Sequence, residues 1–323
     1  MHIRLSATAI AAVLTCAGTA AWAGPTVITS QTGIGNSAYV EQSAVDDSTT
    51  ARITQVGNNN FAGDPVGLVP GILQSNIMTL TGQSAKIEQY GNDNRAAIAQ
   101  TNGMVEYMGA ITQKGDQNVA SLVEDRYFNS ETSIEQNGNN NTADLVHHDT
   151  GGGGGWTFQT GDRNAVTIMN DGLNDASTLT RQTGNDNQID VWHTTSDHSA
   201  VHIEQTGDRN TAYTSQTGGS FISAVTLQNG MDNLAIVLQA DAKEGFATIT
   251  QTGNGNLAGV AQTLEFNEAT ILQAGDLNNA GILQEGNTAF LPKNTAYITQ
   301  AGNGFTASIV QSGSDNHAGV YQH

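Results

Sequence analysis

The stretch 247–262, ATITQTGNGNLAGVAQ, constrains the fold more than any other, because the chain repeats variants of it at a nearly constant interval. Ala247, Ile249 and Gln251 occupy alternate positions, a Gly-Asn-Gly-Asn turn follows, and Asn256, Ala258, Val260 and Gln262 alternate again. Alternation with a period of two on both sides of a glycine turn reads as two short strands. With the first glutamine of each unit as position 0, the units begin at Gln31, Gln55, Gln89, Gln113, Gln136, Gln159, Gln182, Gln205, Gln228, Gln251, Gln273 and Gln300. Successive spacings are 24, 34, 24, 23, 23, 23, 23, 23, 23, 22 and 27, giving twelve units and a further half unit over 311–322. A fixed period of this length means stacked supersecondary units, each touching its neighbours. The expected fold is all-β: a β-solenoid, or β-helix, of strand-turn-strand repeats about 23 residues long.

Each position then acquires a structural role. Position +2 is glycine in every unit, including Gly57, Gly91, Gly115, Gly138, Gly161, Gly184, Gly207, Gly230, Gly253, Gly275 and Gly302, as a turn with positive φ or close backbone approach requires. Position +5 is asparagine in all but the last unit, where Phe305 stands; the series runs through Asn94, Asn118, Asn141, Asn164, Asn187, Asn210, Asn233, Asn256 and Asn278. Position +11 returns to glutamine at Gln42, Gln100, Gln216, Gln239, Gln262, Gln284 and Gln311, and the half unit closes on Gln322. Position −2 is mostly isoleucine, position +7 mostly alanine and position +9 aliphatic. These positions share the inward face, since strand side chains alternate. An inward amide without a partner costs about 1–3 kcal/mol. Identical amides stacked at the strand spacing of about 4.8 Å can donate each to the next, so the glutamines and asparagines are predicted to form structural ladders.

Residues 1–23 carry His2 and Arg4, an apolar run, and Ala21-Trp22-Ala23, the form of a cleavable signal peptide. The expected mature chain, 24–323, therefore leaves the cytoplasm. Cys16, the only cysteine, falls within the leader, which excludes a disulfide framework. The full chain has 11 basic and 30 acidic residues; without Arg4 the balance is 10 minus 30, or −20. Such a surface argues against nucleic acid and anionic lipid as partners. No other segment is apolar enough to span a bilayer as a helix.

Interruptions near 43–50, 63–84, 151–155 and 285–294 read as loops on the rim of the solenoid, and all four prolines fall outside the predicted strand cores. Position +4 reads Arg163, Asp186, Arg209, Asp232 in consecutive units, so stacking would alternate the signs. Arg181 precedes Glu204 by one unit at position −1.

The motif Gln-x-Gly-x-x-Asn-x-Ala-x-x-x-Gln, preceded by alternating Ala/Ser and Ile, recurs intact in 89–100, 205–216, 251–262 and 273–284. It resembles the curlin repeat of the curli subunits, the functional amyloids of bacterial biofilms, in an array enlarged to about twelve copies. The resemblance implies a secreted, cell-surface subunit exported through the periplasm and an outer-membrane secretion pore. It implies head-to-tail self-assembly on a nucleating curlin subunit into extracellular fibres for matrix, adhesion and surface attachment. The pattern also runs to both ends of the mature chain without a polar cap, and an uncapped solenoid invites open-ended polymerisation.

The alternative is a soluble monomeric β-solenoid, an adhesin or ice-binding module. Thr250 and Thr252 suit an ice-binding row, but neighbouring units place Glu204 and Thr206 or Leu272 and Ala274 in the same slots. No enzyme is expected, and no cofactor or metal. His147-His148-Asp149 lacks a third ligand of diagnostic spacing, and adjacent strand histidines face opposite ways. His147 and His193 sit at position +11, where each reads as a polar substitute for glutamine. The run 151–155 lacks the Lys-Ser/Thr of a phosphate loop. The calcium-binding nonapeptide of repeat solenoids is absent as well.

Overall fold

A computed structural model describes residues 2–6, 25–45, 47–63, 71–77, 83–103, 107–172, 174–286 and 293–323. The chain is all-β, a β-solenoid of about twelve turns spaced about 23 residues apart. It divides into two compact units, Met1–Arg163 and Asn164–His323.

In the first unit, Thr26–Thr32, Thr50–Val56, Ser84–Tyr90 and Tyr107–Lys114 stack in parallel with the later halves of Val119–Asn137 and Thr142–Thr160. A second column runs through Ser37–Val45, Ile72–Ile77, Arg95–Thr101 and the early halves of the same two long strands. In the second unit, Asn174–Thr183, Ala200–Asp208, Ser223–Met231, Phe246–Thr252, Asn267–Ala274, Asn294–Ala301 and His317–Gln322 form one column. Ala165–Asp171, Gln188–Thr194, Thr211–Thr217, Leu234–Lys243, Leu257–Glu265, Asn279–Glu285 and Thr306–Ser312 form the other. Register follows the repeat: Gln251 lies against Gln228 and Gln273, and Gln262 against Gln239 and Gln284. The core is narrow, one aliphatic and one alanine per strand, with Ile249, Val260, Ala247 and Ala258 all buried. A strand this poor in apolar volume is stable only because rungs above and below close its core.

Two expected rim loops turn out to hold strands. Within 63–84, Ile72–Ile77 re-enters the second column, pairing Ile72 with Val40 and Ile98 and Gln74 with Gln42 and Gln100. The rung begun by Phe61–Ala62 is thus interrupted and resumed, which moves its glutamine away from position +11. The glycine run 151–155 lies inside the strand Thr142–Thr160, paired with the stretch 128–132. Glycine is required there by packing: a Cβ on Gly154 would fall 2.2 Å from the Glu131 carbonyl oxygen, and one on Gly155 would crowd the His147 ring. Of 285–294, Glu285 ends one strand and Asn294 opens the next; 287–292, with Pro292, lie outside the described residues, as do Pro65 and Pro70. In 43–50, residues 43–45 extend a strand before a turn at Asp47 and Ser48. Of the expected leader, only 2–6 is described, a strand antiparallel to 37–41.

Candidate functional site: amide ladders and open strand edges

The turn at each rung is built by its glycine and its asparagine together. Gly253 has φ +115°, and a Cβ there would lie 2.1 Å from the carbonyl oxygen of Gly275 one rung on. That carbonyl accepts the Nδ2–H of Asn256 at 2.7 Å, while Asn256 Oδ1 accepts the backbone N–H of Asn278 at 3.0 Å. The same bonds join Asn94, Asn118 and Asn141 in the first unit, with Asn141 donating to Gly161. In the second unit they run from Asn164 and Gly184 through Asn187, Asn210 and Asn233 to Asn278 and Gly302. Phe305 keeps one of them, its N–H donating to Asn278 Oδ1, and ends the side-chain series.

Glutamine ladders line the core in both units. From Gln31 through Gln55, Gln89, Gln113 and Gln136 to Gln159, each Nε2 donates to the following Oε1 at 2.7–2.9 Å, Gln159 being the last acceptor. The series from Gln182 through Gln205, Gln228, Gln251, Gln273 and Gln300 to Gln322 does so at 2.8–3.0 Å. The second hydrogen of the interior amides is used as well; Gln251 Nε2 also donates to the Leu234 carbonyl at 3.1 Å. In the second column, Gln42, Gln74 and Gln100 are joined, and so are Gln216, Gln239, Gln262, Gln284 and Gln311. Gln322 therefore belongs to the position-0 ladder above Gln300, a place the half-unit spacing did not reveal.

Three features escape the sequence motif. Position +3 makes a ladder of its own on the surface, as where Asn92 N and Nδ2 both donate to Asp116 Oδ1 and Asn254 does the same to Asp276. Position +4 is left-handed even without glycine, with φ of 57°, 56° and 58° at Asp186, Arg209 and Asp232. The opposite arc gains its own asparagines near the end of the second unit, Asn267, Asn294 and Asn316. Their signal in the sequence is an Asn at or just before the start of each strand.

Charges obey the stacking order. Arg209 grips Asp232 through two bonds of 2.7 and 2.8 Å, which lowers the Asp232 carboxyl below its usual range and raises the guanidinium. Arg181 lies in register with Glu204. His147 is buried and faces Glu124 of the preceding rung, Nδ1 to Oε1 3.9 Å, beyond hydrogen-bond length. Burial pushes the His147 pKa down to about 4, so the ring is neutral at pH 7. His148 faces outward beside Asp125, 3.3 Å away, so the two histidines do not converge. No group of three metal-ligating side chains comes together among the described residues.

The strand edges complete the picture. Thr26–Thr32, Thr306–Ser312 and His317–Gln322 each pair on one side only among the described residues. Their inward residues Val27, Ala318 and Val320 are half-buried, whereas Ile249 and Val260 in the interior are fully buried.

Comparison with known proteins finds no family model that matches this chain and no curated sequence that matches it. Among the described residues, no helix is long and apolar enough to cross a membrane.

Proposed function

We propose that this chain is a structural subunit that polymerises head to tail into extracellular amyloid-type fibres. The observation that carries this reading is the common polarity of the glutamine ladders. In both units glutamine Nε2 donates toward the higher-numbered rung. The first unit therefore presents the Gln31 acceptor oxygen at its low-numbered edge, and the second presents the Gln311 and Gln322 amide donors at its high-numbered edge. Edges of opposite polarity fit each other and not themselves, the condition for an open heterologous polymer. Stacking would also bury Val27, Ala318 and Val320, and unpaired strand edges recruit further strands. The likeness of the motif to the curlin repeat supports the same reading, and with it export to the cell surface through an outer-membrane pore, a nucleating partner subunit, and a role in biofilm matrix and adhesion.

Fibre diffraction of purified protein tests the architecture. A meridional reflection near 4.7–4.8 Å is expected. A chain that stays monomeric at high concentration would fit the soluble binding module instead. Replacing Gln311 and Gln322 together by Ala is expected to slow seeded elongation several-fold, while outward Thr299→Ala leaves it unchanged; equal rates would remove the ladder from the mechanism.

A further inference from the structure

The outward face of one column in the second unit stays uncharged over consecutive rungs. Across Leu234–Lys243, Leu257–Glu265, Asn279–Glu285 and Thr306–Ser312, the three outward positions nearest the start of each strand carry no charge. This stands out in a chain with 41 charged residues, 11 basic and 30 acidic. Leu238, Leu257, Leu283 and Val310 project from it, 39–72% exposed, with Ile236 beside them. The middle of the face holds Gly259 and Gly281 on adjacent rungs.

Neither glycine is needed by the backbone. Their φ angles are not left-handed, and a Cβ at either would meet nothing within 4 Å. A glycine inside a strand costs about 0.5–1 kcal/mol relative to alanine, and such a residue often marks where another surface comes close. The result is a shallow trough flanked by Leu257 and Asn279 on one side and Ala261 and Leu283 on the other.

The geometry points to this face as the site where a second copy of the chain packs side by side, ridge into trough, sheet against sheet. Charge argues for the same occupant. With Asp241, Asp276 and Glu285 on the margins, two copies of so acidic a chain meet without opposed carboxylates only across an uncharged face, and anionic lipid is repelled. Area sets the strength. Four strands at about 4.8 Å and three outward residues along each give about 400 Å² per copy. A stable complex needs about 800 Å² per partner, so free subunits pair weakly. In a fibre the face recurs with every subunit, and many weak contacts add. The inference thus rests on the fibre reading for its full effect and makes lateral pairing a consequence of polymerisation.

The test is the double variant Gly259→Thr/Gly281→Thr, which fills the trough with a residue that strands favour. By electron microscopy, wild-type fibres are expected as laterally paired filaments, more so at high salt, and the variant as single filaments elongating at the wild-type rate. Paired variant filaments, or wild-type filaments that stay single in high salt, overturn the proposal. Leu238→Lys/Leu283→Lys, which alters only outward side chains, repeats the test if the threonine variant fails to fold. If wild type forms no fibres, the fibre reading fails separately, and sedimentation of the soluble chain decides this one. A salt-promoted dimer at least tenfold weaker in the variant supports it, and a wild-type monomer at the highest soluble concentration overturns it.

Discussion

Gly253 and Gly281 are the same residue type under opposite constraints. At Gly253 the left-handed backbone and the 2.1 Å approach to the next carbonyl leave no room for a side chain. Gly253→Ala is expected to lower unfolding stability by about 3 kcal/mol or more, since backbone strain and the displaced Asn256 bond add. Gly281→Ala is expected to be neutral or to stabilise by about 0.5–1 kcal/mol, because the site is open and strand-like. Denaturant unfolding of the two variants checks both signs. This contrast was only half legible in the sequence. The twelvefold recurrence of position +2 exposed the turn glycine, but the left-handed backbone at position +4 is masked by its mixture of Asp, Arg, Asn and Leu277. Its cost of about 1 kcal/mol is small enough for rung-to-rung bonds to carry, so no single residue type is selected.

At the scale of the column, regular spacing made Gln31 to Gln300 readable, while an insertion hid one member and the half unit left the column of another unread. Gln74 was concealed because its rung carries it past position +11, whereas Gln322 was read as a ladder residue but not as a member of the column of Gln300. The second column is also where the ladder fails. Glu124 and His147 replace glutamine, and Gln100 Nε2, one rung before Glu124, is buried with no hydrogen-bond partner among the described residues. Gln216 Oε1, one rung after His193, is in the same state. Each such orphan costs about 1–3 kcal/mol. His147 makes the weakness depend on pH. Its pKa is about 4 when folded and about 6.5 when unfolded. Between those values the unfolded chain binds a proton that the folded chain refuses. Its contribution is therefore intact above pH 6.5 and lost as pH falls toward 4, by about 1.4 kcal/mol per unit and about 3 kcal/mol in all. His147→Gln is expected to remove this slope from a stability–pH profile; a variant profile parallel to wild type would dissociate the slope from His147.

For the molecule as a whole, the formal charge of −19 opposes what the ladders favour. In the proposed fibre every joining subunit would bring its acids near those already there, so elongation would work against like-charge repulsion. The repulsion is long-ranged at low ionic strength, with a Debye length of about 30 Å at 0.01 M that falls to about 8 Å at 0.15 M. Seeded elongation at pH 7 is therefore expected to accelerate over that range, whereas ladder bonds made at contact are little screened. Acidification toward the isoelectric point near 4.4 removes the same charge and should accelerate elongation too. It also charges His147 in the unfolded chain, draining stability from the first unit below pH 6.5. The two effects oppose each other, so the elongation rate should rise from pH 7, peak between pH 4 and 6.5, and fall again. In His147→Gln the rise should continue to lower pH. A rate indifferent to salt would dismiss the charge account, and a peak that stays in place in His147→Gln would show that acid lability arises elsewhere in the solenoid.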